Sequence, residues 1–563
     1  MTYAEWLGRP VKTQPIYVIE FADPAITQRF CTKTFAGLTS AAEPYARIKD
    51  ALHHKVKILK AQADAGKASF VLLDTNEEVT AFLNAHDKRL SDTLVRIKLV
   101  PEDLTEAADA QTALWFLKDY AFDERRTEWN FNVLDVFRTL DKPIYENVKK
   151  THLKILSRVV HTTTEIQLAE TPIGWREPGF VLLHDGKKNV ELVEYQEIDT
   201  LTNTLKNLTR RKHGSGGSLF EIEESEVIHV WVKRGTPKLL FLEWVLTTDD
   251  GSNGGPYDLA NGDGAGMPIE AVDVTAIENA FDDAAHGVDD WDFLFIGEEA
   301  IDAKEFLEIQ ILLATSFTES ITDEGKLTII PFENTPSTTT DLEGLFNKHG
   351  SFGWRRLFGT RINNIQLTMD HHVPDDDFVS TKTLLVNQSI LRYGKGNLFK
   401  DMEFQGLRGA GGRQFGMPDL GGDAFAATAM IRLAEIYGSP PISLRLETAM
   451  RFRDVVPGEG VKITHPAIPN PPLSASRGVV DQIVTILSKR INPFAKRWPV
   501  KFDSEIRGNI GREWRWHSDS ATTPYDSASE AEKAAGAYWS DDTTLEPGSD
   551  GKLGYYWADD EAA

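Results

Sequence analysis

The chain has 563 residues, 41% of them hydrophobic and 26% charged, the balance of a folded protein with several cores, at about 150 residues each roughly four domains. Its net charge of −24 argues against a basic face for nucleic acid, and its single cysteine, Cys31, excludes an internal disulfide or a cysteine-rich zinc or iron–sulfur site. The first ten residues lack a basic stretch followed by an apolar run, and nothing reaches the roughly 18 apolar residues of a membrane span, so synthesis in the cytoplasm without stable membrane insertion is expected.

The first 160 residues read mostly as strands. Val56 and Ile58 alternate with lysines, Ser69–Leu73 is apolar, and Val95, Ile97 and Leu99 alternate with Arg96 and Lys98. Asp74-Thr75-Asn76 is placed to cap a short helix carrying Val79, Phe82 and Leu83. Leu114–Phe122 and Glu128–Phe137 form a hairpin around Asp123-Glu124-Arg125-Arg126. This pattern suggests a barrel with one helix.

Residues 161–235 read as a small β module, with strands at Ile166–Leu168, Phe180–Leu183 and Glu191–Tyr195. Turns fall at Gly174, Pro178-Gly179 and Asp185-Gly186, and a glycine-rich loop at 214–217. Residues 236–330 contain helices: Pro237–Leu246 and Ala303–Leu313, the latter with Phe306, Leu307, Ile309 and Leu313 on one side, then a turn into Leu327–Ile330. Residues 331–475 return to strands around Ile362–Met369, Ile442–Leu446 and Val461–Ile463, with a helix at about Ala424–Tyr437. Strands enclosing a helix therefore occur twice. Pro466, Pro469, Pro471 and Pro472 read as a stiff linker. Residues 476–563 hold a strand pair near Val479–Leu487 and Trp498–Phe502, then an imperfect repeat: Tyr538-Trp539-Ser540-Asp541-Asp542 recurs as Tyr556-Trp557-Ala558-Asp559-Asp560.

The charge is concentrated. Residues 249–305 hold 16 acidic side chains and one basic; residues 517–563 hold 11 and two. These two patches account for the whole net charge, and both read first as solvated surfaces. In particular, the 249–305 carboxylates are expected to face water or a DNA path, where like charge keeps phosphates from sticking.

No spacing selects a catalytic centre. A nucleotide-binding loop, a zinc-protease helix and a Gly-x-Ser-x-Gly elbow are absent. Gly406–Gly412 has the wrong spacing for a dinucleotide loop. Met369–Asp377 gathers two histidines and four aspartates, but adjacent histidines on a strand point to opposite faces, and the segment reads as an exposed turn rather than a metal site. Asp249–Asp263 offers oxygen ligands for calcium without EF-hand order, and reads as a loop. Any acidic protein offers carboxylate pairs for glycoside hydrolysis, and none is singled out here. Trp539 and Trp557 suit sugar stacking but are more often packing residues. No catalytic, cofactor-binding or metal-binding residue is therefore assigned.

The β module carries Pro178-Gly179-Phe180-Val181-Leu182-Leu183, then Glu191-Leu192-Val193-Glu194-Tyr195, then Leu205-Lys206-Asn207-Leu208-Thr209-Arg210 and His213-Gly214. That order resembles the small β module of baseplate and tail-tip hub proteins of long-tailed, siphovirus-like bacteriophages. Where many relatives have glycine after the arginine, this chain has Arg211, which suggests a shortened turn. Glu128–Phe137, the 236–330 region with Val272-Asp273, Gln388–Gly394 and the Pro457-Gly458-Glu459 turn are similar to further family segments, so the resemblance covers about 1–475.

The resemblance implies a mainly β, multidomain chain with α+β parts: two tube-type β-barrels, each with a helix, at 1–160 and 331–475, a small β module at 161–235, a helix-containing domain at 236–330 and a C-terminal β segment at 476–563. It implies a structural, non-enzymatic homotrimer in the virion, at the tail tip. Such a hub adapts the sixfold tail tube and distal tail protein above to a threefold tip or central fibre below, with the tape measure protein in its lumen and DNA passing at ejection. The competing readings are a receptor- or glycan-binding tail-tip protein using the aromatic tail, and a cell-envelope hydrolase, which the lack of a nucleophile or metal motif disfavours.

Overall fold

Alternation and capping chemistry build the early part of the chain as expected. In the computed structural model, Leu94–Pro101 is a strand with Val95, Ile97 and Leu99 buried and Arg96 and Lys98 half-buried. Gln111–Asp123 and Glu128–Leu134 pair antiparallel across the 124–127 turn, where Thr127 takes a left-handed φ of 52°. The Asp74 carboxylate accepts from the backbone N–H groups of Val79 and Thr80, at 3.0 and 3.2 Å, and starts the helix Glu78–Leu90, which buries Val79, Phe82, Leu83 and Leu90. The structure describes residues 15–507 and 556–558, apart from 49–51, 58–61, 91–92, 102–103, 146–150, 187–188, 217–218, 221–224, 248–263, 285, 323, 332–338, 343–352, 387–388, 391–392, 449–451, 453, 470–476 and 492–499.

The chain is mainly β and multidomain, and its largest element is one sheet of 14 strands. In spatial order the path runs Arg29–Cys31, Pro15–Phe21, Leu94–Pro101, Gln111–Asp123, Glu128–Leu134, Gln62–Leu73 and Leu52–Lys57. It continues through Arg477–Ile491, Val500–Ile506, Ile442–Thr448 and Gly353–Arg356. The seam between early and late strands is antiparallel, Lys55 opposite Ser488 through Leu52 opposite Ile491.

Among the described residues neither expected barrel closes as a ring of strands. The path is open at both ends, and on the early side the isolated bridge Phe30–Glu43 links Arg29–Cys31 toward Ala46–Ile48. Leu52–Lys57, instead of ending the early set, gives its outer hydrogen-bonding edge to a strand from far along the chain. A single apolar core follows, with Phe70, Phe82 and Phe131 joined to Leu444, Ile486 and Phe502. Pairing thus runs across sequence segments expected to be separate: 477–491 and 500–506 lie inside the sheet beside 52–57 and 442–448.

The prolines at 466 and 469 do not begin a linker. They lie in the strand Gly460–Pro469, which pairs with Arg477–Ile491 through register shifts at His465. Proline lacks an N–H, so a strand edge broken by bulges is where it costs least.

The late helix, Gly422–Tyr437, does not serve the long sheet as Glu78–Leu90 does. It buries Met430, Leu433 and Ile436 in a second core with the helices Pro237–Leu246 and Val274–Phe281 and the hairpin Asn364–His372/Asp377–Leu385. Thr236 caps the first of these helices, accepting from the Leu239 N–H at 3.4 Å, with Pro237 at its first position. The expected helix 303–313 forms as one turn, Ala303–Phe306, continued by a π-helical stretch, Leu307–Leu313. It is buried on nearly all sides, Glu308 and Gln310 included, rather than on a single stripe.

The small module is built on Gly179–His184, flanked by Val190–Tyr195 and by Glu226–Gly235. Glu226–Gly235 is long enough to serve two neighbours. Its first half holds the module, and Trp231–Gly235 pairs with Phe293–Gly297 of the adjoining helical region.

Candidate functional site

The residues that single out the small module form one interlocked set. Tyr195 donates its hydroxyl to the Arg176 carbonyl at 2.6 Å, and a Cβ at position 179 would lie 2.4 Å from the Tyr195 hydroxyl oxygen, so only glycine fits beneath the ring. Glu191 is fully buried and is met bidentately by Arg210, at 2.6 and 2.8 Å, with the Arg211 N–H at 3.1 Å. Arg210 also reaches the Val160 carbonyl at 2.6 Å. Leu205 and Leu208 pack into the module core, and Thr209 exchanges backbone hydrogen bonds with Glu194.

The turn after Arg210 is built on left-handed backbone. Arg211 itself adopts φ 53°, ψ 43°, the left-handed conformation that glycine takes without strain, and His213 and Gly214 follow at φ 54° and 84°. Trp175 stacks on His229 at 4.8 Å between ring centroids. Burial, with help from the Arg176 charge, pushes the His229 imidazole down to about 4.

A second cluster joins this module to the rest of the chain. Asp370, His371 and His372 are buried rather than part of an exposed turn; only Asp375, Asp376 and Asp377 reach solvent, at the hairpin tip. The strand period sends the two histidines to different partners. His371 Nε2 meets Asp376 at 3.1 Å, while His372 Nδ1 meets Asp375 at 3.0 Å and its ring lies 5.8 Å from that of His184 in the module. Burial lowers the pKa of His184 and of His371. Among the described residues no three His, Cys, Asp or Glu side chains are grouped to hold a metal ion.

The Gly406–Gly412 loop wraps the protein's own carboxylates. Gly409 N–H donates to Asp370 Oδ1 at 2.8 Å and Ala410 N–H to Asp423 Oδ2 at 2.9 Å. A Cβ on Gly409 would strike Met369, and one on Gly412 would lie 2.8 Å from Asp370 Oδ1. Arg408, which sequence reasoning missed, is fully buried here. It donates from Nε to the Leu294 carbonyl at 3.2 Å and from Nη1 to that of His371 at 2.6 Å, and burial lowers its pKa to about 10 against the pull of Asp370. Burial raises the pKa of Asp370, against the hydrogen bonds from Ser380 and Gly409 and the Arg408 charge. Apolar contacts complete the junction, with Leu182, Leu192 and Ile228 of the module against Leu294, Val373 and Met417, and Gly216 N–H on the Gly416 carbonyl.

Two features had no sequence signal. Glu319 is fully buried with no hydrogen bond to either oxygen, and burial, with Glu308 nearby, raises its pKa well above the usual carboxylate value. A cavity of about 580 Å³ lies beside the hairpin tip, lined by His371, Asp376, Glu305, Gln310, Asp401 and Glu403 among others. Apolar strand patterns reveal neither, because both depend on which distant strands meet.

The acidic region can be followed from Glu270 onward. None of its 12 carboxylates to Glu305 is buried, as expected, and several are paired: Glu270 with Arg96, Asp282 with Lys238, Asp292 with Arg234 and Glu298 with His152. The segment Asp249–Asp263, read as a loop rather than a calcium site, and Trp539 lie outside the described residues. Trp557 lies in a short strand, Tyr556–Ala558, on the outer edge of Asp377–Leu385. Among the described residues no helix is long and apolar enough to cross a membrane.

No family model and no curated protein matches the chain. Among solved structures it aligns with prophage tail protein gp18 from Listeria monocytogenes EGD-e, at 8% identity over 87% of this chain and 94% of that one, with a TM-score of 0.34. It also aligns with the 43 kDa tail protein of prophage MuSo2 from Shewanella oneidensis, at 7% identity over 88% and 97%, TM-score 0.34. A third alignment is with the tail protein from Neisseria meningitidis MC58, at 7% identity over 88% and 97%, TM-score 0.33.

Proposed function

We propose that the chain is a structural component of a bacteriophage tail, and within it the hub of the tail tip. The observation that carries this reading is the small module. The residues whose order resembles the hub family's, Gly179, Glu191, Tyr195, Leu205, Leu208 and Arg210, are the ones that lock one another in place. Arg211 supports it as well, because it stands in the left-handed conformation that suits the glycine of many relatives.

In this reading the chain is a homotrimer around a channel. The early and late strand sets of the long sheet lie side by side, so one chain offers two faces and three chains offer six, one for each subunit of a sixfold tube above. The distal tail protein and tube bind that ring, the tape measure protein occupies its lumen, and a central fibre or tip protein continues below. DNA passes at ejection without specific binding. The unburied carboxylates of 270–305 suit a surface from which phosphates slide away. The role is structural: the conspicuous ionisable clusters, Glu191–Arg210 and Asp370–Arg408, are engaged in holding elements together.

The test is an averaged map of intact particles with this chain labelled. Three copies at the tail tip are expected, with early and late strand sets related by roughly 60° about the channel axis. Six copies, or a position away from the tip, would overturn the hub assignment. Purified chain should release no fragments from peptidoglycan or capsular polysaccharide, and activity that survives repurification would overturn the structural role.

A further inference from the structure

Two imidazoles face each other where the small module docks on the hairpin. His184 ends the module strand Gly179–His184, and His372 ends Asn364–His372. Their rings meet edge to face at 5.8 Å. His372 is 2% exposed and has Phe415 as a second ring neighbour, at 5.6 Å. His184 is half-buried, and its Nε2 is out of water with no hydrogen-bond partner. A neutral imidazole tolerates that place, because the bare nitrogen presents only a lone pair. An imidazolium puts an N–H there with nothing to accept it.

The charges around the pair accommodate one proton and not two. His372 Nδ1 has Asp375 at 3.0 Å, so a proton on that ring is balanced. Around His184 stand His372 and Asp375 from the hairpin, Asp185 next in its own chain and Glu226 opposite it on the paired strand. Glu226 is already held by Lys154 at 2.7 Å and His152 at 3.4 Å. The loop carrying Phe415 contributes Arg413, which is turned to Asp419 at 2.9 Å. His371, beside His372, meets Asp376 and Phe378 of its own hairpin and the Arg408 charge beneath. Burial first, and then His372, outweigh the three carboxylates and lower the His184 pKa in the docked state.

We propose that His184 and His372 form an acid-sensitive latch that fastens the small module to the hairpin Asn364–His372/Asp377–Leu385 and releases it as pH falls. The shared strand Glu226–Gly235 is the hinge, because its pairing with Phe293–Gly297 is made by backbone groups that do not titrate. On the latch side, docking rests on the apolar cluster that includes Leu182, Val373 and Met417 and on the bond from Gly216 N–H to the Gly416 carbonyl. The docked pKa of His184 lies below its free value, so the undocked state binds the extra proton. Docking is therefore full above about 6.5, the free value, and weakens as pH falls through the docked one. A separation of one pKa unit weakens docking up to about tenfold once pH is below both.

Hydrogen exchange on the full chain between about pH 7.5 and 5.5 tests this, with rates corrected for the pH dependence of the chemical step. The Gly216 amide reads the junction, and the ladder of Phe180–Leu183 with Val190–Tyr195 reads the module itself. The ladder is expected to stay better protected than Gly216 at every pH, so that Gly216 reports undocking and the acid response of His229 inside the module does not enter. In the parent, Gly216 protection should fall at least about fivefold over that range. His184→Phe keeps a ring at the contact and should show a fall of less than about twofold. His184→Gln, smaller and also neutral, should do the same and decides the matter where phenylalanine disturbs the ladder at pH 7.5. Unchanged Gly216 protection in the parent, a Gly216 that exchanges only together with the ladder, or a variant with an intact ladder that loses Gly216 protection in acid as the parent does would each overturn the latch.

Discussion

The small module and the long sheet are both antiparallel β structure, yet they are specified in different ways. In the module, the partners that define the fold lie close in sequence: Glu191 and Arg210 are 19 residues apart, as are Arg176 and Tyr195. In the long sheet, Lys55 meets Ser488. Local partnerships write themselves into a motif with a recognisable order. A seam between distant strands leaves only alternating hydrophobicity, which any strand shows.

The sharpest test of this contrast is the single core of the long sheet. Phe82 is buried between Phe21 and Phe30, at centroid distances of 5.4 and 5.3 Å, and Phe82→Ala should cost about 3–5 kcal/mol. Because that core includes Leu444, Ile486 and Phe502, faster hydrogen exchange should spread to 442–448 and 500–506. Exchange confined to residues 15–134 would restore the picture of two independent barrels.

In the module, Arg210→Ala strands the buried Glu191 carboxylate and should cost about 3 kcal/mol. Urea melts followed by exchange should show the loss within 152–232, with the long sheet keeping its own midpoint; a common shift would mean that the two regions unfold as one.

Acid should separate them too. His229 has a folded pKa of about 4, below the unfolded value of about 6.5, so the unfolded state binds the extra proton. Its contribution is fully present above about 6.5 and is lost as pH falls toward about 4. His229→Phe, which keeps a ring on Trp175, should flatten the module's pH profile in that window; an unchanged profile would assign the acid sensitivity to other groups.

The smallest effect is a gain. Arg211→Gly relieves a left-handed backbone and should stabilise the module by about 0.5–1 kcal/mol, seen as a higher melting midpoint. A loss would show that the arginine side chain matters more than the backbone strain.

Much of this was legible from single residues. Asp74 before an apolar helix and the charged turn between Phe122 and Glu128 each carry their own chemistry. The alternation of Ile442, Leu444 and Leu446 located a strand but not its neighbours. The helix 422–437 was placed correctly along the chain and assigned to the wrong strands, since its apolar face fits any core. The buried histidines were missed for a related reason. Met369–Asp377 is polar enough to suggest solvent, and only the docking of the module onto it, with Arg408 beneath, takes His371 and His372 out of water.

The seam at Lys55 and Ser488 also sets a clock. The two positions lie 433 residues apart, and a ribosome adding about 5–20 residues per second needs roughly 20–90 s to travel between them. Throughout that interval Leu52–Lys57 has been made and its eventual neighbour has not. A nascent chain therefore carries an unfinished sheet edge through most of its synthesis, on a timescale long enough for neighbouring chains on the same message to find it. Host chaperones, or rapid capture by assembly partners, would matter most in that interval, and a slower ribosome should lower the yield of this chain more than that of a protein built from local pairs.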